Sequence, residues 1–170
     1  FLNESGFNKL LQMHDSFLRP PMVANCYYDL IFGCNNCEIP LRYQLDYRNF
    51  FYVTEGEVEI KLIPPSAKKY LFSKKKYDEY EFSSPVNPWN VQDIYKNDFS
   101  KIKTLDITLK KGVILFIPAY WWYSLRLKSN SVVCNFKYST YMSALSNFHN
   151  LCLWYLQKQN IKLEVAKKIN

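Results

Sequence analysis

From Val23 onward the hydrophobic positions recur in short runs rich in β-branched and aromatic residues, the pattern of strands. Eight strands are predicted, over 24–32, 41–45, 49–54, 57–63, 103–109, 113–117, 121–127 and 131–138. Turn signals separate several of them: Gly33-Cys-Asn-Asn, Glu55-Gly56, Pro64-Pro65 and Lys110-Lys111-Gly112. At both ends the period changes. Phe7, Leu10, Leu11, His14 and Phe17 or Leu18 fall at helical spacing over 5–18, and Arg19-Pro20-Pro21 ends that helix. Residues 141–157 turn helical again. Met142, Leu145, Phe148, His149, Cys152 and Tyr155 or Leu156 make one face, which Leu151, Leu153 and Trp154 widen. A helix apolar over more than half its circumference wants two neighbours, the strands and a second chain. Phe148, Leu151, Trp154 and Tyr155 are therefore the candidate interface. The basic, polar tail 158–170 reads as a short final helix.

Eight strands with few helices between them imply a mainly β domain, an antiparallel barrel or jelly roll. The layout is a helical lead-in over 1–22, the barrel over 23–140 and a C-terminal helical segment over 141–170. Residues 66–101 interrupt the strands with Lys74-Lys75-Lys76, Asp78-Glu79-Tyr80-Glu81 and Ser84-Pro85-Val86-Asn87-Pro88-Trp89. Little there alternates, so this is read as an excursion over the barrel surface, a lid or contact surface, with the lysines on a solvated face.

Composition narrows the function classes. The 170 residues fit one domain, and 48% hydrophobic with 22% charged residues excludes a disordered chain, a collagen and a simple coiled coil. The net charge is +7, but the basic residues are 18 Lys against only Arg19, Arg42, Arg48 and Arg126. Base and phosphate reading leans on arginine forks, so nucleic acid is not the expected partner. The longest apolar run, Gly112 to Tyr123, falls short of the ~18 residues of a membrane span and contains Pro118. The chain opens on Phe1 without a basic-then-apolar leader, so a fragment or processed chain is expected, intracellular (cytoplasm or nucleus) or in a virion, not secreted. The skew to Lys, Asn, Phe and Tyr fits an AT-rich genome such as that of a large DNA virus or a protist.

Five cysteines stand at 26, 34, 37, 134 and 152. Only Cys34-Asn-Asn-Cys37 has tight spacing. Zinc normally takes a second pair or a histidine partner, and the nearest histidine, His14, lies in the N-terminal helical stretch. The pair is read as a turn carrying two free thiols, with no metal.

The most specific stretch is Gly112-Val-Ile-Leu-Phe-Ile-Pro-Ala-Tyr-Trp-Trp-Tyr-Ser-Leu, followed by Val133-Cys-Asn-Phe-Lys-Tyr. It resembles the end of a JmjC or cupin-type barrel. Asn49-Phe-Phe-Tyr-Val-Thr-Glu-Gly, Ile60-Lys-Leu-Ile-Pro-Pro-Ser and the excursion's Ser84-Pro-Val-Asn-Pro-Trp-Asn resemble the same family in the same order. Within it the asparaginyl hydroxylase that inhibits hypoxia-inducible factor looks most similar, over residues 20 to 140. The resemblance implies a double-stranded β-helix, the jelly-roll or cupin barrel, with an N-terminal and a C-terminal helix. Active members of this family are Fe(II)- and 2-oxoglutarate-dependent oxygenases with a triad of two histidines and a carboxylate.

This sequence departs at all three triad positions. Counted from Pro40, the His-x-Asp positions hold Arg42 and Gln44, and Tyr123 stands where the second histidine follows the paired tryptophans. Arginine donates only and repels a cation. The only histidines are His14 and His149, both expected on helices outside the barrel. The cosubstrate lysine position holds Val58. Asn49 and Asn135 keep pocket-lining types, and Lys137 replaces an aromatic residue there. Arg42 and Lys137 would put two positive charges at the vacated site. Neutralisation is expected from Asp46 or Asp29, with solvent or a bound anion as the other outlets. Tyr123 is expected to fill the space and to bond Gln44. Trp121 and Trp122 should split, one inside and one towards the lid or a partner.

The expectation is therefore a catalytically inactive barrel without cofactor. It would act as a structural or protein-interaction subunit, as a homodimer or in a larger assembly such as a viral one. The alternative is an Fe(II)/2-oxoglutarate-dependent protein hydroxylase with atypical ligands drawn from Gln44, Asp46 and Tyr123.

Overall fold

A computed structural model describes Lys9, Leu11 and residues 15–163. The strands are β1 (Val23–Gly33), β2 (Arg42–Tyr43), β3 (Arg48–Glu55), β4 (Glu57–Ile63), β5 (Lys74–Lys76), β6 (Glu81–Ser83), β7 (Leu105–Lys110), β8 (Ile114–Pro118), β9 (Trp122–Leu127) and β10 (Ser131–Thr140). The helices are α1 (Asp93–Phe99), α2 (Tyr141–Ser146) and α3 (Phe148–Leu163). The chain shuttles between a four-stranded sheet, β1-β10-β3-β8, and a six-stranded sheet, β5-β6-β2-β9-β4-β7. Every pairing is antiparallel. The result is the expected mainly β jelly roll, with helices at the C-terminal end.

Alternation along the strands builds three apolar layers. Phe51, Val53, Val58, Ile60, Leu125, Leu127 and Val133 meet between the sheets. On the outer face of the six-stranded sheet, Tyr43, Ile63 and Trp122 pack under Leu71, Tyr77 and Phe82 of the excursion and Leu153 of α3. On the outer face of the four-stranded sheet, Tyr28, Phe136 and Tyr138 pack against Leu18 and Leu11. The tryptophans split as expected: Trp122 is sealed under the excursion, while Trp121 lies against the inner core.

At the β3–β4 turn Gly56 has φ +80°, and a Cβ there would meet Ser131 Oγ and Asn130 O. Only glycine fits such a position without strain.

All eight expected strands are present, but four local expectations need correction. The excursion is not irregular: it holds a 3₁₀ turn (Pro65–Tyr70), β5, β6 and α1. Its lysine triplet is the edge strand of the larger sheet, where repeated charge deters another chain from adding on. The C-terminal helix breaks at buried Asn147, whose side chain donates to Ser143 O and accepts from Tyr120 Oη. After that break α3 runs on to Leu163, taking in the start of the tail read as a short final helix, and the rest of that tail lies outside the described residues. The N-terminal helix does not reach residue 18: Leu18 N bonds Asp15 O in a turn, while most of 5–18, with His14, lies outside the described residues. Among the described residues no helix is long and apolar enough to cross a membrane.

Candidate functional site

Strand parity gathers the singled-out residues at one end of the space between the sheets. Leu41, Tyr43 and Leu45 turn outward into the excursion layer, which turns Arg42 and Gln44 inward. Arg42 stands directly across from Tyr123 on β9, and Asn49 pairs with Lys137 across β3 and β10. Arg42, Gln44, Lys137 and Asp29 line a cleft of about 570 Å³. Its outer wall is Tyr80 and Glu81 from the excursion and Trp154 from α3. Tyr123, Asn49 and Asn135 lie buried beneath.

The charges in this cleft are compensated by close partners. Lys137 Nζ lies 2.6 Å from Asp29 Oδ2, as the sequence suggested for one of the two cations. Arg42 departs from expectation: its Nη2 is 3.5 Å from Glu81 Oε1, a residue of the excursion, and not beside Asp46. Asp46 instead accepts from Ser139 Oγ at 2.7 Å. Among the described residues the buried Arg42 Nε and Gln44 Oε1 have no hydrogen-bond partner. Tyr123 does not take up Gln44 Oε1 as expected; its hydroxyl has Asn49 beside it. Burial pushes its phenol well above the ordinary tyrosine range, and the Arg42 cation only partly opposes that. Asn135 Nδ2 donates to Asn49 Oδ1 and to Phe50 O, closing the floor beneath. Burial, with Asp46 beside it, raises Tyr80 to about 12.

Val58 is fully buried two rungs deeper, paired with Leu127 in an apolar layer that offers a carboxylate nothing. The candidate interface residues do not act as one face. Phe148 and Tyr155 are 62% and 58% exposed, whereas Leu151 and Trp154 line the cleft. His149 is exposed on α3. Cys34 and Cys37 are free thiols on an exposed turn. Among the described residues no group of three or more His, Cys, Asp or Glu is placed to hold a metal ion.

The excursion is fastened to the larger sheet by Trp89. Its Nε1 donates to Ser124 Oγ at 2.8 Å, and its ring centroid lies 4.3 Å from Arg126 Cζ and 4.9 Å from Lys61 Nζ. Glu38 holds Arg126 Nη2 at 2.6 Å and Asn87 Nδ2 at 2.9 Å. Against the cost of burial, those bonds and the arginine's charge keep its carboxyl below the ordinary value. Sequence reasoning missed Glu81 as a wall of the cleft. The signal was the acidic stretch Asp78-Glu79-Tyr80-Glu81 directly after the lysine triplet, a charge reversal that suits a hairpin.

Residues 30–144, more than half of the chain, match the model of the cupin-like domain. The chain belongs to the cupin-like domain family. A lysine-specific demethylase of Arabidopsis thaliana, JMJ31, is 30% identical over 125 residues, covering 71% of this chain. The chain spans only 22% of that relative's length. A solved structure, that of BH2720 from Bacillus halodurans, overlaps 67% of this chain and 62% of its own with 12% identity and a TM-score of 0.40.

Cupin-like oxygenases imply iron, so the donor set at the mouth is the test. A guanidinium, a neutral amide and a protonated phenol do not fit Fe(II), which in such sites takes imidazole and carboxylate. Arg42 adds a permanent cation, and burial keeps the Tyr123 phenol protonated.

Proposed function

We propose that this cupin-like barrel is disarmed and works as a binding or scaffolding module, not as an oxygenase. One observation carries the reading. Of the positions that the resemblance assigns to the metal ligands, Arg42 and Tyr123 are neighbours across β2 and β9, and Gln44 lines the same cleft as Arg42. On that assignment a cation and a buried phenol stand where two imidazoles and a carboxylate would be needed. The apolar layer around Val58 supports the same reading for the cosubstrate.

A barrel without its own chemistry acts through its surface. We take its partners to be proteins, either a second copy or a larger assembly. Met142, Leu145, Phe148, Tyr155 and Leu156 expose apolar area along α2 and α3, more than a solvated helix pair needs.

The test is anaerobic loading with Fe(II) or Mn(II), dialysis, and measurement of bound metal and 2-oxoglutarate affinity. Neither metal nor cosubstrate is expected to be retained. Near-stoichiometric metal together with 2-oxoglutarate binding would overturn the reading in favour of a hydroxylase with atypical ligands.

A further inference from the structure

We propose that Cys34 and Cys37 form a redox-closing dithiol, a surface site that small-molecule disulfides convert to a disulfide within the turn. The two sulfurs lie 3.4 Å apart and both side chains are exposed. A bond needs them at about 2.05 Å, so closure asks for about 1.4 Å of movement, within reach of side-chain rotation. The backbone is already set for it. Cys37 N donates to Cys34 O at 3.3 Å. A turn closed in this way keeps its end Cα atoms within about 7 Å, and a disulfide spans about 4.4–6.8 Å.

The turn is also held from outside. Asn36 N donates to Leu127 O at 2.7 Å, and Leu127 N to Cys37 O at 2.9 Å. Asn36 takes φ +62°, which asparagine tolerates better than most residues. Closure therefore starts from a formed turn. Two of the other three cysteines are poor competitors: Cys134 is buried, and Cys26 lies eight residues back along β1, about 26 Å away at strand rise.

The chemistry is thiol–disulfide exchange. The Cys37 thiolate attacks one sulfur of a disulfide such as oxidised glutathione and expels one thiolate. Cys34, whose thiol the neighbouring Cys37 sulfur holds protonated above its ordinary range, is the resolving group. It loses its proton to solvent, attacks the Cys37 sulfur and expels the second thiol. The protein dithiol loses two electrons and two protons, and the small disulfide is reduced to two thiols.

The test equilibrates the full chain with oxidised and reduced glutathione at a series of ratios, blocks free thiols with an alkylating agent and maps the peptides by mass spectrometry. Cys34 and Cys37 are expected to lose two hydrogens together and to resist alkylation, reversibly with dithiothreitol. Closure should exceed the mixed disulfide at the same residues by about tenfold or more, because an adjacent thiol acts at millimolar or higher effective concentration. In a Cys34→Ser variant, Cys37 should instead retain the glutathione adduct. The proposal fails if both cysteines of the parent protein stay alkylatable in oxidising buffer, or if each collects its own adduct without closing.

Discussion

Two polar clusters flank the four-stranded sheet, one on its outer face and one in the cleft between the two sheets, and they are built differently. On the outer face Asp15 is buried and accepts from Tyr28 Oη at 2.6 Å, Tyr138 Oη at 2.7 Å and Arg19 Nε at 2.8 Å. In the cleft, Lys137 and Arg42 each have one carboxylate, both pairs are partly exposed, and two buried polar atoms go unbonded. A saturated buried network fixes one arrangement and is costly to disturb. A loosely compensated one adds little stability and leaves residues free to change. The outer cluster anchors the chain leading into β1. The inner cluster is the looser of the two, which is compatible with the binding role proposed above.

The largest expected effect comes from breaking the saturated side. Asp15→Ala removes the shared acceptor of two buried hydroxyls and of Arg19 Nε, and should lower unfolding free energy by about 3 kcal/mol in urea titrations. A loss below about 1 kcal/mol would erase the contrast between the clusters.

Alkaline pH probes the same network more gently. Burial, then the Asp15 hydrogen bonds and charge, hold the Tyr28 and Tyr138 phenols above their ordinary range. A phenol whose folded pKa lies above its unfolded value of about 10 gives full stability below that pH. The contribution is lost as pH rises from there through the folded pKa. Thermal unfolding should therefore be insensitive to these groups near neutrality and fall steeply above about pH 10. A Tyr28→Phe, Tyr138→Phe double variant should fall less steeply over the same range. Equal slopes for the two proteins would remove the tyrosines from the account.

The smallest effect is expected at the cleft. Arg42→Met removes a partly exposed ion pair and an unbonded Nε, and should shift stability by no more than about 1 kcal/mol in either direction. A larger loss would show that the inner cluster supports the fold as strongly as the outer one.

Much of this architecture was legible in the residues. Long strands such as β3 and β4 bury every second side chain, so periodicity alone marks them. The set of Arg42, Gln44 and Tyr123 came from the resemblance to JmjC and cupin-type barrels, and the pairing of β2 with β9 brings Arg42 and Tyr123 side by side. The elements that escaped are those whose burial does not repeat. β5 is three lysines, and its pairing comes from Phe82 and Tyr77 packing beside it. α1 buries nothing, so no periodic face announces it. The break at Asn147 comes from a contact with Tyr120, 27 positions away in the chain, which no local window contains. The Arg42–Glu81 pair was hidden for the same reason. It depends on β6 crossing beside β2, a pairing within the excursion read as irregular.

The pairing of β1 with β10 also carries a consequence for synthesis. Gly33 lies opposite Ser131 and Val23 opposite Thr140, so β1 leaves the ribosome about 100 residues ahead of its partner. At roughly 5–20 residues per second, that segment waits roughly 5–20 seconds before its backbone can be satisfied. Throughout that wait an eleven-residue strand containing Tyr27, Tyr28, Leu30, Ile31 and Phe32 has no sheet to join. Nascent chains should be most vulnerable to aggregation and most dependent on chaperones then, until β10 arrives to close the smaller sheet.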